Sequence, residues 1–250
     1  MKNKKTIIFD MDGVISDSMP FHAKAWKEAF APIGINVEDI EIYIREGMKG
    51  KETIEDIIKE RNLSISQEEM EQIYKRKREA FNRIFEVKLM PGIYGLLNGL
   101  RMNGHRLALV TGSCLEATKA VLSSLAARRS SPESEVTSHW SLVTSDVFDV
   151  VIAGEMVANG KPDPEPYLKA VSMLGVKKED CLVIENAPAG ITSAKRAGLR
   201  CYAVATSLPK TYLKEADMVF DNIKEISDYL LNEHYIQPAS ATITCKSVKR

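Results

Sequence analysis

The sequence predicts an α/β fold: a doubly wound parallel sheet core with an inserted all-helical cap domain. Short apolar runs recur along the chain at strand length, and helical patterns separate most of them. Between the first run and the second, about residues 20–87 carry no convincing strand run.

The first run, TIIF at residues 6–9, ends abruptly in DMDGV. That pattern reads as a buried strand entering a loop at its C-terminal end. The next runs are 106–110 (RLALV), 147–152 (VFDVVI), 181–184 (CLVI), 201–205 (CYAVA) and 218–220. Strands that alternate with helices need crossover connections, so the sheet is mostly parallel and covered on both faces.

The insertion reads as helix throughout. Phe21, Ala25, Trp26, Ala29, Phe30 and Ile33 recur at helical spacing and stop at Gly34. Ile54, Ile57 and Ile58 repeat the pattern before Asn62. Ser66 reads as an N-cap with Glu69 as its capping-box partner, opening a long charged helix to about Phe85. These signals divide the chain into a core of residues 1–17 and 89–234 and a helical cap of 18–88. The crossings at 16–18 and 87–92 are candidate hinges. Residues 128–145 (RRSSPESEVTSHWSLVTS) read as a flexible insertion with Trp140 anchoring one end, and 235–250 as a disordered tail.

Composition narrows the function. The 250 residues balance 34 basic against 34 acidic side chains, which gives no electrostatic reason to expect a nucleic acid or an anionic membrane as partner. Four cysteines, Cys114, Cys181, Cys201 and Cys245, lack C-x-x-C spacing, which argues against a disulfide framework or structural zinc. The apolar run ending at Asp10 is too short for a signal peptide or a membrane span, so a soluble, cytoplasmic protein is expected, with a monomer as the default.

Ligands of an open parallel sheet bind beyond the carboxyl ends of its strands. After the predicted strands come Asp10 and Asp12; Thr111, Gly112 and Ser113; Lys161 in GKPDPEPY; and Glu185 with Asn186. A carboxylate can attack a dianionic phosphate only where cations neutralise the repulsion. Asp10 and Glu185 offer charged oxygens and Asn186 an amide oxygen, a set suited to magnesium. Lys161 offers a fixed positive charge, Thr111 a hydroxyl donor, and Gly112 a close backbone approach. A second carboxyl can protonate the leaving oxygen and then activate the next acceptor.

Four segments in this order, DMDGV, VTGS, GKPDPEPY and IENAPAG, each following a predicted strand, resemble the motifs of the haloacid dehalogenase superfamily of phosphotransferases. The resemblance spans residues 6 to about 231. FHAKAW at 21–26 and MKGKET at 48–53 are similar to the first cap helix and the specificity loop of its β-phosphoglucomutase group. The resemblance implies a Rossmann-like core and Mg2+ as the cofactor. Asp10 would form an aspartyl-phosphate and Asp12 would be acid/base. Asp12 would also offer the metal its main-chain carbonyl. Thr111 and Lys161 would bind phosphate, and Glu185 and Asn186 would face the metal. His22, Trp26 and Lys49 would face the substrate or position Asp12, and Lys51, in the same Gly-bounded loop, is a further substrate candidate. Two positions depart from the pattern. Asn186 stands where the family has Asp, removing one negative charge, and Cys114 stands where the mutases carry a phosphate-holding lysine. The expectation is therefore a phosphatase acting on a small phosphorylated metabolite such as a sugar phosphate. The alternatives are a β-phosphoglucomutase-type mutase and, third, a non-enzymatic binding protein. The basic run KRKR at 75–78, flanked by acids, reads as a solvated helix face.

Overall fold

A computed structural model describes residues 5–127 and 147–232. The predicted 128–145 insertion, with Trp140, and the 235–250 tail lie outside the described residues.

Six strands form one sheet: β1 (Thr6–Phe9), β2 (Arg106–Val110), β3 (Val150–Ile152), β4 (Cys181–Glu185), β5 (Arg200–Val204) and β6 (Met218–Phe220). Their order is β3-β2-β1-β4-β5-β6, and every neighbouring pair is parallel. The chain winds outward from β1 through β2 and β3, then returns to the other side of β1 with β4. The crevice at the end of β1 is thus the switch point of the sheet, where ligands bind.

Strand alternation divides the core residues between two faces. Ile7 and Phe9 pack with α5 (Ile93–Met102) and α9 (Ile223–Leu231), while Ile8 packs with α7 (Glu165–Leu174) and α8 (Pro188–Arg196). Both clusters are fully apolar, as a two-sided parallel sheet requires. β3 is shorter than its apolar run. The Asp149 carboxylate accepts from Leu107 N at 2.8 Å and from Arg101 Nη1 at 2.9 Å, so a side chain takes up a donor of β2 before Val150.

The insertion is helical as its periodicity predicts. It contains α1 (Met19–Phe30), α2 (Asp39–Tyr43), α3 (Gly50–Glu60) and α4 (Gln67–Ile84), and the core helix α6 (Leu115–Ala127) lies beneath it. Ser66 caps α4 as expected: its Oγ accepts from Glu69 N at 3.1 Å and Glu69 Oε2 accepts from Ser66 N at 3.0 Å. Such a cap stabilises by about 1 kcal/mol. Trp26, Phe30, Ile54, Ile57 and Ile73 form the cap's own core. The short α2 has too few apolar positions to announce itself by period. It forms on a local hydrogen bond from Glu38 N to Glu41 Oε2, 2.8 Å.

The two predicted crossings meet each other. Ser16 bridges Leu89 in antiparallel fashion, Asp17 N donates to Lys88 O at 2.7 Å, and Met90 N donates to Ile15 O at 2.9 Å. A two-stranded link therefore joins core and cap. Among the described residues no helix is long and apolar enough to cross a membrane.

Candidate active site

Register builds the floor of the site. Phe9 is level with Leu109 on one side and Ile184 on the other, so the next residues of three adjacent strands emerge together. Those residues lead directly to Asp10, Thr111 and Glu185.

Asp10 is completely buried. Its Oδ1 accepts from Lys161 Nζ at 2.5 Å, and its Oδ2 has no hydrogen-bond partner. Burial pushes its pKa up to about 7. Lys161 opposes that rise, while Glu185 and Asp12 add to it. Lys161 also donates to Glu185 Oε1 at 2.7 Å and to Val110 O at 3.3 Å. Burial disfavours its charge, but Asp10, Glu185 and Glu46 outweigh burial and hold the ammonium above the ordinary lysine range. Glu185 is itself fixed. Tyr167 OH donates to Oε1 at 2.5 Å and Asn186 N donates to Oε2 at 3.0 Å. Only a glycine fits at position 190, because a Cβ there would lie 1.8 Å from Glu185 Oε1.

Asp12 is held by a ring of donors. Ser18 Oγ reaches Oδ1 at 2.5 Å; Ser113 Oγ and Thr111 Oγ1 reach Oδ2 at 2.7 and 3.2 Å. His22 Nε2 stands 3.3 Å from Oδ1, near enough to pair but not aligned for a full hydrogen bond. Burial alone would raise Asp12. A protonated His22 and the donors from Ser18 and Ser113 instead hold it well below the carboxylate range. His22 is pushed below the ordinary imidazole range first by burial and then by Lys77, with Asp12 opposing. The Ser18 and Ser113 hydroxyls add to the hold on Asp12.

The cap closes over these groups. His22, Trp26, Lys77, Arg78, Tyr74 and Phe81 line a cleft whose floor includes Asp12, Gly112 and Ser113. Lys77 Nζ lies 3.2 Å from His22 Nδ1 and 4.7 Å from the centroid of Phe81. An ammonium can only donate, so Nδ1 accepts and the ring proton sits on Nε2, facing Asp12. Lys77 corrects the reading of KRKR as a solvated face. Its charge pattern is surface-like, yet its side chain turns inward between aromatic rings, where burial lowers its pKa to about 8.

The expected Gly-bounded loop is also corrected. Lys49 is the N-cap of α3 and Lys51 lies within the helix. Lys49 Nζ crosses the seam to Val157 O (2.6 Å) and Ala158 O (2.8 Å), away from Asp10 and Asp12. Lys51 is exposed and pairs with Glu71 of α4. Backbone carbonyls and a neighbouring acid satisfy these lysines without a ligand. Gly112 has a role that the sequence did not suggest: a Cβ there would lie 2.4 Å from Gly47 O, so the cap loop touches the core at this glycine.

Asn186 is fully buried. Its Nδ2 donates to Ser207 Oγ at 3.4 Å, while its Oδ1 has no partner. The unpartnered Asn186 Oδ1 and the buried carboxylates of Asp10 and Glu185 offer the hard oxygen ligands that magnesium takes, so the residues fit the metal that the fold implies.

The fold and the motifs together define the class. The haloacid dehalogenase-like hydrolase family matches residues 4–198, and the chain belongs to that family. It is an enzyme of the phosphatase or phosphomutase type within it. Over 239 residues it is 28% identical to β-phosphoglucomutase of Bacillus subtilis, covering 93% of this chain and 96% of that protein. Over 209 residues it is 31% identical to a phosphorylated carbohydrates phosphatase of Thermotoga maritima, covering 82% and 87%. The crystal structure of β-phosphoglucomutase from Clostridium difficile superposes with a TM-score of 0.70 at 26% identity, covering 94% of this chain and all of that one.

Proposed function

We propose that the protein is a magnesium-dependent phosphatase that forms an aspartyl-phosphate on Asp10 and hydrolyses a small phosphorylated metabolite such as a sugar phosphate. The observation that carries this reading is the asymmetry of Asp10: Lys161 holds one oxygen and the other has no partner. The unpartnered oxygen bonds to phosphorus, and the bond from phosphorus to the leaving oxygen breaks. Asp12 supplies the proton that the leaving oxygen takes up. Before substrate arrives Asp12 is ionised; a dianionic phosphoryl group beside it raises its pKa and favours the protonated form. In the second half Asp12 takes a proton from water, whose oxygen attacks phosphorus and frees Asp10 and inorganic phosphate. Lys161, fixed by Glu185 and Tyr167, offsets negative charge throughout. Asp10, the Asp12 carbonyl and Asn186, with Glu185 behind them, would hold magnesium, which would supply positive charge at the transferring group. Thr111, Gly112 and Ser113 cradle the phosphoryl oxygens, and His22 and Trp26 face the rest of the substrate.

The second reading is a phosphomutase, favoured by the end-to-end similarity to a β-phosphoglucomutase. Cys114 in the cleft wall weighs against it, since a thiol cannot hold a phosphate as a lysine does. β-Glucose 1-phosphate with a trace of the bisphosphate separates the two. Release of inorganic phosphate from this and other sugar phosphates is expected; conversion to glucose 6-phosphate without free phosphate would establish the mutase instead.

A further inference from the structure

The cap contributes an acid to the floor of the site, and no motif announces it. Glu46, in the loop between α2 and α3, is only 7% exposed, and its Oε2 has no hydrogen-bond partner. One carboxylate oxygen from each of Asp10, Glu46 and Glu185 lies within 4.8 Å of the other two. A carboxyl that approaches two others in a buried site either takes up a proton or shares a positive charge, and a divalent cation would displace that proton. Lys161 is the one described cation bonded to this cluster, and its ammonium is committed to Asp10, Glu185 and Val110 O. Arg45, next to Glu46 in sequence, faces the other way and is taken up by Asp56, Glu60 and the carbonyl of Glu41.

The loop is shaped to bring Glu46 there. Gly47 is left-handed (φ 84°) and lies against Gly112 and the Lys161 stem. Lys49 and Glu52 fasten the same loop, through Val157 O and Ala158 O and through Gly160 N. Charge explains why the site uses it. Asn186 gives the floor an amide where a carboxylate would supply a further charge beside Asp10 and Glu185. Glu46 returns that negative charge from the opposite domain.

We propose that Glu46 is a cap-borne ligand of the catalytic divalent cation, so that cation binding and cap closure are one coupled event. This rests on the reading that a divalent cation occupies the Asp10–Asn186 floor. The floor binds the cation weakly alone, and Glu46 completes the site when the loop is down. The cation in turn draws the loop onto Gly112 and closes the cleft around the substrate.

The test uses the full chain, stripped of metal and titrated with Mn2+ alone by calorimetry. Glu46→Gln is expected to weaken Mn2+ about tenfold or more, the effect of losing a charged ligand. Glu46→Asp, which keeps the charge but shortens the reach, should weaken it too. Adding Asn186→Asp to Glu46→Gln should restore most of the affinity. In the wild type, amide exchange across residues 45–49 should slow when Mn2+ is added, and in Glu46→Gln it should not. Unchanged Mn2+ affinity in Glu46→Gln, with Asp10→Asn weakened, would overturn the role of Glu46 alone. Affinity unchanged in Asp10→Asn as well, or no binding by the wild type, would overturn the cation site itself.

Discussion

The two walls of the cleft are built in different ways. The core wall is made at strand ends: β1 ends at Phe9, level with Leu109 and Ile184, so Asp10 and Thr111 follow their strands and Glu185 ends β4. Each side chain there is locked by others of the same domain, as Glu185 is by Tyr167, Lys161 and Asn186 N. The cap wall is made by helix faces and one loop. His22, Lys77 and Glu46 come from three separate segments, and they meet the core where the cap rests on it, as the loop at Gly47 does on Gly112 and Lys49 on Val157 O and Ala158 O. The first wall is fixed by covalent geometry and sheet register, so it holds chemistry common to a whole family. The second is fixed by the approach of two bodies, so it can change partner choice without disturbing that chemistry.

The largest effect should come from the core wall. Asp10→Asn is expected to lower turnover by about 10⁴-fold or more, because the proposed nucleophile is lost. Rapid-quench trapping with labelled substrate should find no phosphoenzyme, while circular dichroism shows the fold intact. Retained turnover would mean that Asp10 is not the nucleophile.

A smaller effect should come from the seam. Gly112→Val drives side-chain atoms into the Gly47 carbonyl, holding the loop off the core. Displacement of about 1 Å in such a site costs about 10²-fold, so kcat/KM should fall on that scale with little change in Tm. An unchanged kcat/KM would separate the two walls and show that their contact is incidental.

The cap wall carries a pH signature. Lys77 titrates at about 8, below an ordinary lysine, because burial disfavours its charge. As pH rises through 8 it loses the ammonium that fixes the His22 tautomer, so kcat/KM should fall above about pH 8. Lys77→Arg keeps the charge at every accessible pH and should move that limb upward. If the limb stays in place, another group owns it.

The smallest effects distinguish the two lysines of the segment at 48–53. Lys49→Ala removes two seam hydrogen bonds and should raise KM by about 5-fold or more, since each bond contributes about 0.5–1.5 kcal/mol. Lys51→Ala breaks only an exposed pair with Glu71 and should leave steady-state kinetics unchanged. A larger effect at Lys51 would return it to the substrate site.

Legibility follows the same division. The strand runs announced β1, β2 and β6 to the residue, and DMDGV, VTGS, GKPDPEPY and IENAPAG marked the floor, because a strand end places its next residues locally. The capping box at Ser66 was readable for the same reason. Lys77 was not readable, because in KRKR the inward and outward basic residues look alike until a neighbouring helix covers one of them. Glu46 carried no signal either, since IYIREG has neither period nor motif around it.

The sequence by itself determined the class of sheet, the helical insertion after β1 and the identity of the groups on the floor. Period-2 and period-3.6 burial, together with strand-end chemistry, act over a few residues at a time. Only the tertiary structure decided which cap groups face Asp10 and Asp12. It turned Lys49 to a latch, Lys77 to His22 and Glu46 to the acid cluster, because those contacts join residues distant in sequence and exist only when one folded body rests on another.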